Sequence, residues 1–164
     1  MPELFANPVD LAGLIAGATA TGLLLHRTVK WLMDEATKGI DLRPPEGIDR
    51  ARWDQATSIP SEDAGKLLGR LESLLFFMSL WFGIVTIILG WLAFKVATKW
   101  EAWQNLIQVP RQLKDVDDLE YLAARHRWAS YVFMRFLVGT VGNLLVAALG
   151  VAIGRLLIAY INGF

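Results

Sequence analysis

The chain lacks cysteine and has few histidines, and both shortages limit the chemistry it can perform. None of its 164 residues is cysteine, which excludes disulfide bonds, thiol nucleophiles and thiolate metal sites. The two histidines, His26 and His126, lie far apart in the sequence. No H-E-x-x-H motif, G-x-S-x-G motif or glycine-rich phosphate loop is present. The sequence therefore predicts a protein that is not an enzyme and has no metal site and no cofactor.

The chain also lacks an excess of either charge. Its 16 Lys and Arg residues balance 16 Asp and Glu residues. A surface that binds nucleic acid needs a basic excess, so we expect no nucleic acid partner. The acidic run DVDDLE at 115–120 lacks the glycine and the terminal glutamate of a calcium-binding loop, and we interpret it as a solvated helix start.

Apolar residues, in contrast, are abundant: they make up 54% of the chain and give it a mean hydropathy of +0.40. The run at 73–94 contains 22 residues without a charge, and the run at 136–154 contains 19. A bilayer core of about 30 Å requires roughly 20 helical residues, so these runs suffice to span it. A shorter run at 11–25 is followed by Arg27 and Lys30, whose side chains could snorkel and extend it. We interpret this first run as a transmembrane or deeply embedded helix, with a buried helix as the alternative.

These runs predict an all-α fold, because lipid offers the backbone no other way to satisfy its hydrogen bonds. We expect a polytopic membrane protein with about three transmembrane or embedded helices, long helical extensions and a short polar loop region. All of them belong to a single membrane domain over 1–164. The predicted elements are helix 1 over 8–33, a polar loop over 34–60, helix 2 over 61–108 with a span at 73–94, and a helical region over 112–162 with a span at 136–154.

The polar connections leave two questions open. Residues 48–56 either form a short amphipathic helix, with Ile48 and Trp53 on its apolar side, or belong to an ordered surface loop. With three spans, Lys and Arg divide 9 against 7 between the two sides of the membrane. The positive-inside rule then barely prefers the orientation that puts the amino-terminal end outside.

Three stretches carry glycines in or beside the apolar runs, and the first two also carry charges: GKLLGRLES at 65–73, GWLAFKVATKW at 90–100 and FLVGTVGNLLVAALG at 136–150. Together with Gly83, they resemble a family of uncharacterised bacterial integral membrane proteins. In that family a G-x-x-I-G-x-L-E-R run opens a hydrophobic helix, and this chain has Ser73 where arginine is usual. The resemblance covers roughly 65–155. It implies a multi-pass protein of the bacterial cytoplasmic membrane and carries no known activity.

Small residues recur at three- and four-residue spacing on the predicted helices, so that they share one helix face. In lipid such faces let two helix backbones approach closely, and packing then drives their association. We interpret seven glycines as helix-packing residues, either within one chain or between copies: Gly13, Gly17, Gly65, Gly69, Gly139, Gly150 and Gly154.

Four polar side chains lie inside the apolar runs or at their ends: Glu72, Arg135, Asn143 and Arg155. Glu72 either meets headgroup water or pairs at depth with an arginine, such as Arg127, Arg135 or Arg155. Asn143 needs a partner in hydrocarbon. It therefore either bonds to another helix or lines a pore in an oligomer.

Two hypotheses for the function follow. The first is a non-enzymatic integral membrane protein that acts through helix–helix assembly as a homo-oligomer, with or without a pore. The alternative is a small accessory or anchoring subunit of a larger membrane complex. In both cases the expected partners are the lipid bilayer and either further copies of the chain or other membrane subunits.

Overall fold

The fold is built from helices. The computed structural model describes residues 7–24, 26–44, 46, 48–51, 53, 62–106 and 118–163. Within these ranges there is no strand, so the predicted all-α class is confirmed. The helices are α1 (Pro8–Thr19), α2 (His26–Ala36), α3 (Glu62–Trp81), α4 (Val85–Leu106) and α5 (Asp118–Ile161), and a π-helical turn, Ala20–Leu24, lies between α1 and α2.

The first helical segment extends from Pro8 to Ala36, three residues beyond its predicted end at 33. Its start follows the expected local chemistry, because the Asn7 side chain accepts a hydrogen bond from the Val9 amide at 3.0 Å and proline opens the first turn. The π-helical turn then widens the helix locally. For helix 2, Ser61 followed by Glu62 and Asp63 predicts an amino-terminal cap, and Ser61 lies outside the described ranges.

α1 and α2 pack against α5 along its apolar length. A Cβ atom added to Gly17 would lie 2.6 Å from the Gly150 carbonyl oxygen, and one added to Gly154 would lie 2.5 Å from the Gly13 oxygen. Such distances leave no room for a side chain, so only glycine allows this approach. The small-residue faces on these two helices therefore pack against each other inside a single chain. Gly139 continues the contact against Met33.

The single helix predicted over 61–108 is wrong: the chain forms a helical hairpin there. α3 ends at Trp81 and α4 begins at Val85. A continuous helix would hold Glu72 and Lys95 about 34 Å apart at 1.5 Å per residue. Instead, Lys95 Nζ lies 2.7 Å from Glu72 Oε2. The uncharged run therefore turns back on itself.

Gly83 makes this turn. Its φ of +72° is in the left-handed region, which glycine adopts without steric cost. The Gly83 amide donates to the Leu80 carbonyl at 3.3 Å, and the Ile84 amide donates to the Ser79 carbonyl at 2.8 Å. These two bonds form a Schellman motif, the usual way in which a glycine ends an α-helix. The sequence signal for this motif was a glycine, Gly83, followed directly by an apolar residue, Ile84.

The hairpin packs on α5 through a core of fully buried apolar side chains. Phe76, Phe77 and Ile88 come from the two arms, and Ala147 comes from α5. The Phe77 ring also reaches α1, because a Cβ added to Gly17 would lie 2.8 Å from Phe77 Cε2. The core thus joins the hairpin to both of the longer helical segments.

The polar loop folds onto the first turns of α5. Trp53 is only 4% exposed, and its ring meets Tyr121 edge-on with centroids 6.2 Å apart. Ile48 and Ala124 complete this small cluster. The loop backbone is held as well, since the Glu46 amide donates to Glu120 Oε1 at 2.9 Å. Part of the predicted 48–56 segment lies outside the described residues, but its apolar side chains Ile48 and Trp53 face α5.

Two helices in the described part of the chain are long and apolar enough to cross a membrane: Pro8–Ala36 and Glu120–Ile161. The apolar part of α4, Val85–Thr98, is shorter. The span predicted at 73–94 is therefore not a single spanning helix. It is divided between the two arms of the hairpin.

The close approach of α1 to α5 predicts opposite effects for two glycine-to-alanine changes. Gly150→Ala places a Cβ 2.9 Å from the Gly17 oxygen and against Thr21 Oγ1. Such overpacking should cost about 1–3 kcal/mol of unfolding free energy. The control is Gly90→Ala in α4, where an added Cβ meets no atom within 4 Å. It should stabilise the protein by up to about 1 kcal/mol, because alanine favours helix. Thermal unfolding in detergent measures both changes, and an unaltered midpoint for Gly150→Ala would contradict the packing.

Candidate functional site

A buried cluster of polar side chains lies where the base of the hairpin meets α5. Its centre is Glu72 of α3, which is 2% exposed. Its two carboxylate oxygens accept hydrogen bonds from both neighbouring helices. From α4, Lys95 Nζ donates to both oxygens at 2.7 Å and Trp91 Nε1 donates to Oε1 at 3.1 Å. From α5, Asn143 Nδ2 donates to Oε2 at 3.0 Å.

Lys95 is the cation of this cluster. Its ammonium group donates to the two oxygens of Glu72 and, at 2.7 Å, to Thr140 Oγ1 of α5. These three acceptors match the three donors of a lysine side chain. The nitrogen also lies 5.0 Å from the centre of the Phe136 ring, within the range of a cation–π contact. Lys95 is 15% exposed, so the pair is largely withdrawn from solvent.

α5 contributes Asn143 and Thr140, which follow one another at three-residue spacing and so share a helix face. Asn143 is 3% exposed. The amide orientation is set by Glu72, since a carboxylate only accepts and must face Nδ2. Asn143 Oδ1 is buried and has no hydrogen-bond partner among the described residues. An unsatisfied oxygen costs free energy, so Asn143 contributes through the bond that its nitrogen donates.

The structure separates the four predicted polar residues. Glu72 and Asn143 are in contact. Arg135 lies farther along α5, toward its amino-terminal end, and donates to Asp34 of α2 at 3.1 Å. Arg155 is exposed near the other end of α5 and takes part in no ion pair within the described ranges. The cation beside Glu72 is therefore a lysine and not one of the arginines considered from the sequence.

The predicted glycines also separate. Gly13, Gly17, Gly139, Gly150 and Gly154 all lie at contacts between the first helical segment and α5 or the hairpin. Gly65 is exposed, and a Cβ added there would meet no described atom within 4 Å. Gly69 provides its carbonyl oxygen as the acceptor for the Ser73 hydroxyl at 3.0 Å.

Sequence reasoning missed Lys95, Trp91 and Thr140. A signal for Lys95 was present, because Glu72 and Lys95 carry opposite charges at the two ends of one uncharged run. Gly83 lies near the midpoint of that run. Opposite end charges around a central glycine are what a closed hairpin requires. Trp91 and Thr140 had no comparable signal, because each joins the polar cluster only through neighbours that tertiary packing brings to it.

The cluster is built to hold three helices together. Both charges are compensated and all three Lys95 donors are used, so neither group is free to act as a base or a nucleophile. In the described part of the chain, no three His, Asp or Glu residues come close enough to hold a metal ion. The chemistry that remains is electrostatic: the pair joins the arms of the hairpin and ties them to α5.

Removing one charge of the pair should be far more damaging than removing both. Lys95→Met leaves the Glu72 carboxylate buried without its cation, which should cost about 3–5 kcal/mol of unfolding free energy. The double variant Glu72→Gln/Lys95→Met has no buried charge and should lose clearly less than the sum of the two single variants. Unfolding in mixed micelles measures the four corners of this cycle.

The matched control for this cycle is Lys38→Met. It breaks the exposed Lys38–Glu35 pair, whose atoms lie 3.4 Å apart, and should change stability by about 0–1 kcal/mol. Strictly additive losses in the double variant would mean that Glu72 and Lys95 do not act on each other.

No family model, curated protein or solved structure matches this chain. The resemblance of 65–155 to a bacterial membrane family therefore stays a prediction. The assignment of the buried cluster rests on the contacts and distances described above.

Proposed function

We propose that the chain is a non-enzymatic integral membrane protein with two transmembrane segments and a re-entrant hairpin. The observation that carries this proposal is an inverted distribution of polarity. Glu72 and Asn143 are buried, whereas Leu145, Leu149 and Ile153, on the outer side of α5, are 42–56% exposed. Water would favour the opposite arrangement. Hydrocarbon favours this one, because polar groups inside it must be paired and enclosed by protein.

The dimensions of the hairpin support a re-entrant arrangement. At its base, Glu72 touches Asn143, and near its tip Trp81 packs against Gly154. α5 continues for seven residues from there to Ile161, which is about 10 Å of helix. The tip therefore ends inside the hydrocarbon layer when α5 crosses it, and both arms enter from the same side.

This arrangement changes how Lys and Arg are distributed between the two sides of the membrane. Fifteen of the 16 Lys and Arg residues lie between Arg27 and Arg135 in the sequence. Those of them that the structure describes fall at the side where the hairpin enters, and among the described basic residues Arg155 alone lies toward the other side. Three spans divided these charges almost evenly, whereas two spans and a hairpin segregate them. The positive-inside rule then favours a cytoplasmic location for this charged side in a cell membrane.

Within this frame we propose that the protein serves as a small accessory or anchoring subunit in a larger membrane complex. The glycine faces that favoured self-assembly are occupied inside the chain. Asn143, which the pore hypothesis placed at the lining, faces Glu72 instead. What remains outside is an apolar surface for lipid or membrane partners. The pore-forming homo-oligomer stays a prediction that the contacts within one chain do not test.

Cysteine labelling tests the topology directly, because the chain contains no cysteine of its own. We expect Lys38→Cys and Thr98→Cys to react with a membrane-impermeant maleimide only after intact cells are permeabilised. Asn162→Cys should react without permeabilisation. Ile84→Cys, near the hairpin tip, should react from neither side. Labelling of Lys38→Cys and Thr98→Cys from opposite sides would instead make 73–94 a full span and exclude the re-entrant hairpin.

Native mass spectrometry separates the accessory subunit from the homo-oligomer. After a carbonate wash, the protein expressed alone should stay in the membrane fraction and be released by detergent as one 18.3 kDa chain. A discrete oligomer that conducts ions in liposomes, with a conductance altered by Asn143→Leu, would favour the pore instead. Release by carbonate would exclude membrane integration altogether.

A further inference from the structure

Four basic side chains line the side of the molecule from which the hairpin enters. Arg27 and Lys30 stand three apart on α2, and Lys66 and Arg70 stand four apart on α3, so each pair shares a helix face. All four side chains are exposed. Together we call them the basic patch. Trp31, next to Lys30, is 61% exposed, as expected of an aromatic anchor at a membrane interface.

Near Arg27, Lys30 and Arg70, the acidic side chains that the structure describes are engaged elsewhere. Asp34 pairs with Arg135, and Glu35 lies 3.4 Å from Lys38. On α3, Glu72 is taken by Lys95. Arg27, Lys30 and Arg70 take part in no ion pair within the ranges that the structure describes. The positive charge of these three side chains is therefore not neutralised by a neighbouring carboxylate.

The two helices bring their basic residues to similar depth. A Cβ added to Gly22 would lie 3.7 Å from Leu74 Cδ2, which marks the contact between the first helical segment and α3. Arg70 lies one turn before Leu74, and Arg27 lies little more than one turn after Gly22. Both therefore lie on the same side of this contact, toward the charged side of the protein.

This depth matches one surface of a bilayer. Val29, between Arg27 and Lys30, packs on Gly142, because a Cβ added there would lie 3.2 Å from Val29 Cγ1. From Gly142 to Ile161 there are 19 residues, or about 29 Å of helix. The hydrocarbon core is about 30 Å thick. When Ile161 reaches one surface of the core, Arg27 and Lys30 lie at the other, where lipid phosphates are found. Glu72 contacts Asn143, the residue after Gly142, so the enclosed ion pair then lies just inside this second surface.

We infer that the basic patch binds the phosphate groups of anionic phospholipids in the leaflet that faces it. The inference rests on the proposed membrane insertion and adds a ligand class to it. Arginine and lysine both suit phosphate, through charge-assisted hydrogen bonds. Each basic residue near an anionic leaflet should raise affinity about five-fold.

The test reconstitutes the full chain in nanodiscs of phosphatidylcholine with and without phosphatidylglycerol. Native mass spectrometry then reports which lipid stays bound. The variant Arg27→Gln/Arg70→Gln should lower the preference for phosphatidylglycerol about 25-fold if the two residues act independently. Inorganic phosphate added to discs of phosphatidylcholine alone should leave the thermal midpoint unchanged, which separates lipid from free phosphate.

The matched control is Lys38→Gln/Arg43→Gln, which removes the same charge from residues that are already paired. Lys38 faces Glu35, and Arg43 forms a two-pronged pair with Asp41, whose pKa is lowered to about 2 chiefly by the Arg43 side-chain hydrogen bond. This control should keep the lipid preference. An equal loss in both double variants, or no preference in the unaltered chain, would overturn the inference and leave an acidic protein partner for the patch. Loss of membrane insertion, in contrast, would overturn the proposed function itself.

Discussion

The architecture depends on one ion pair, between Glu72 and Lys95. These two charges end an uncharged run long enough to cross a bilayer, and a single span would place them on opposite sides of it. Their contact at 2.7 Å requires the run to reverse, which Gly83 makes sterically possible. Asn143 and Thr140 then bind the closed pair to α5. The closed hairpin and its attachment satisfy one requirement: once Glu72 and Lys95 are withdrawn from water, each charge must be paired and hydrogen-bonded.

The same constraint organises the surface. Once the two ends of the uncharged run lie on one side, the lysines and arginines that the structure describes, apart from Arg155, lie on that side as well. The described helices also expose many apolar side chains of leucine, isoleucine, valine and phenylalanine. A molecule with charge sealed inside its apolar part and hydrocarbon outside is adapted to lipid, where packing and hydrogen bonds hold helices together. In the proposed membrane arrangement, the basic patch lies at the boundary between lipid tails and phosphates.

Glycine serves two separate purposes in this fold. At Gly13, Gly17, Gly150 and Gly154 it removes side-chain volume, so that two helix backbones touch. At Gly83 it provides a backbone conformation that other residues adopt only at a cost. Because the glycine faces of α1 and α5 pack against each other within one chain, they are not available to join several copies. This is why the contacts favour a compact subunit over an assembly held by glycine faces.

By itself, the sequence determined the all-α class, the positions of the apolar runs, the cap at Asn7 and the glycine faces. These properties are local: periodicity, hydropathy and capping depend on residues within a few turns of one another. Only the tertiary structure decided that 73–94 turns back, that Glu72 meets Lys95 and that Trp53 packs on Tyr121. A run of 22 uncharged residues has the length for either one span or a hairpin. The choice depends on whether partners distant in sequence can enclose both charges, and that energy arises only when the helices are assembled.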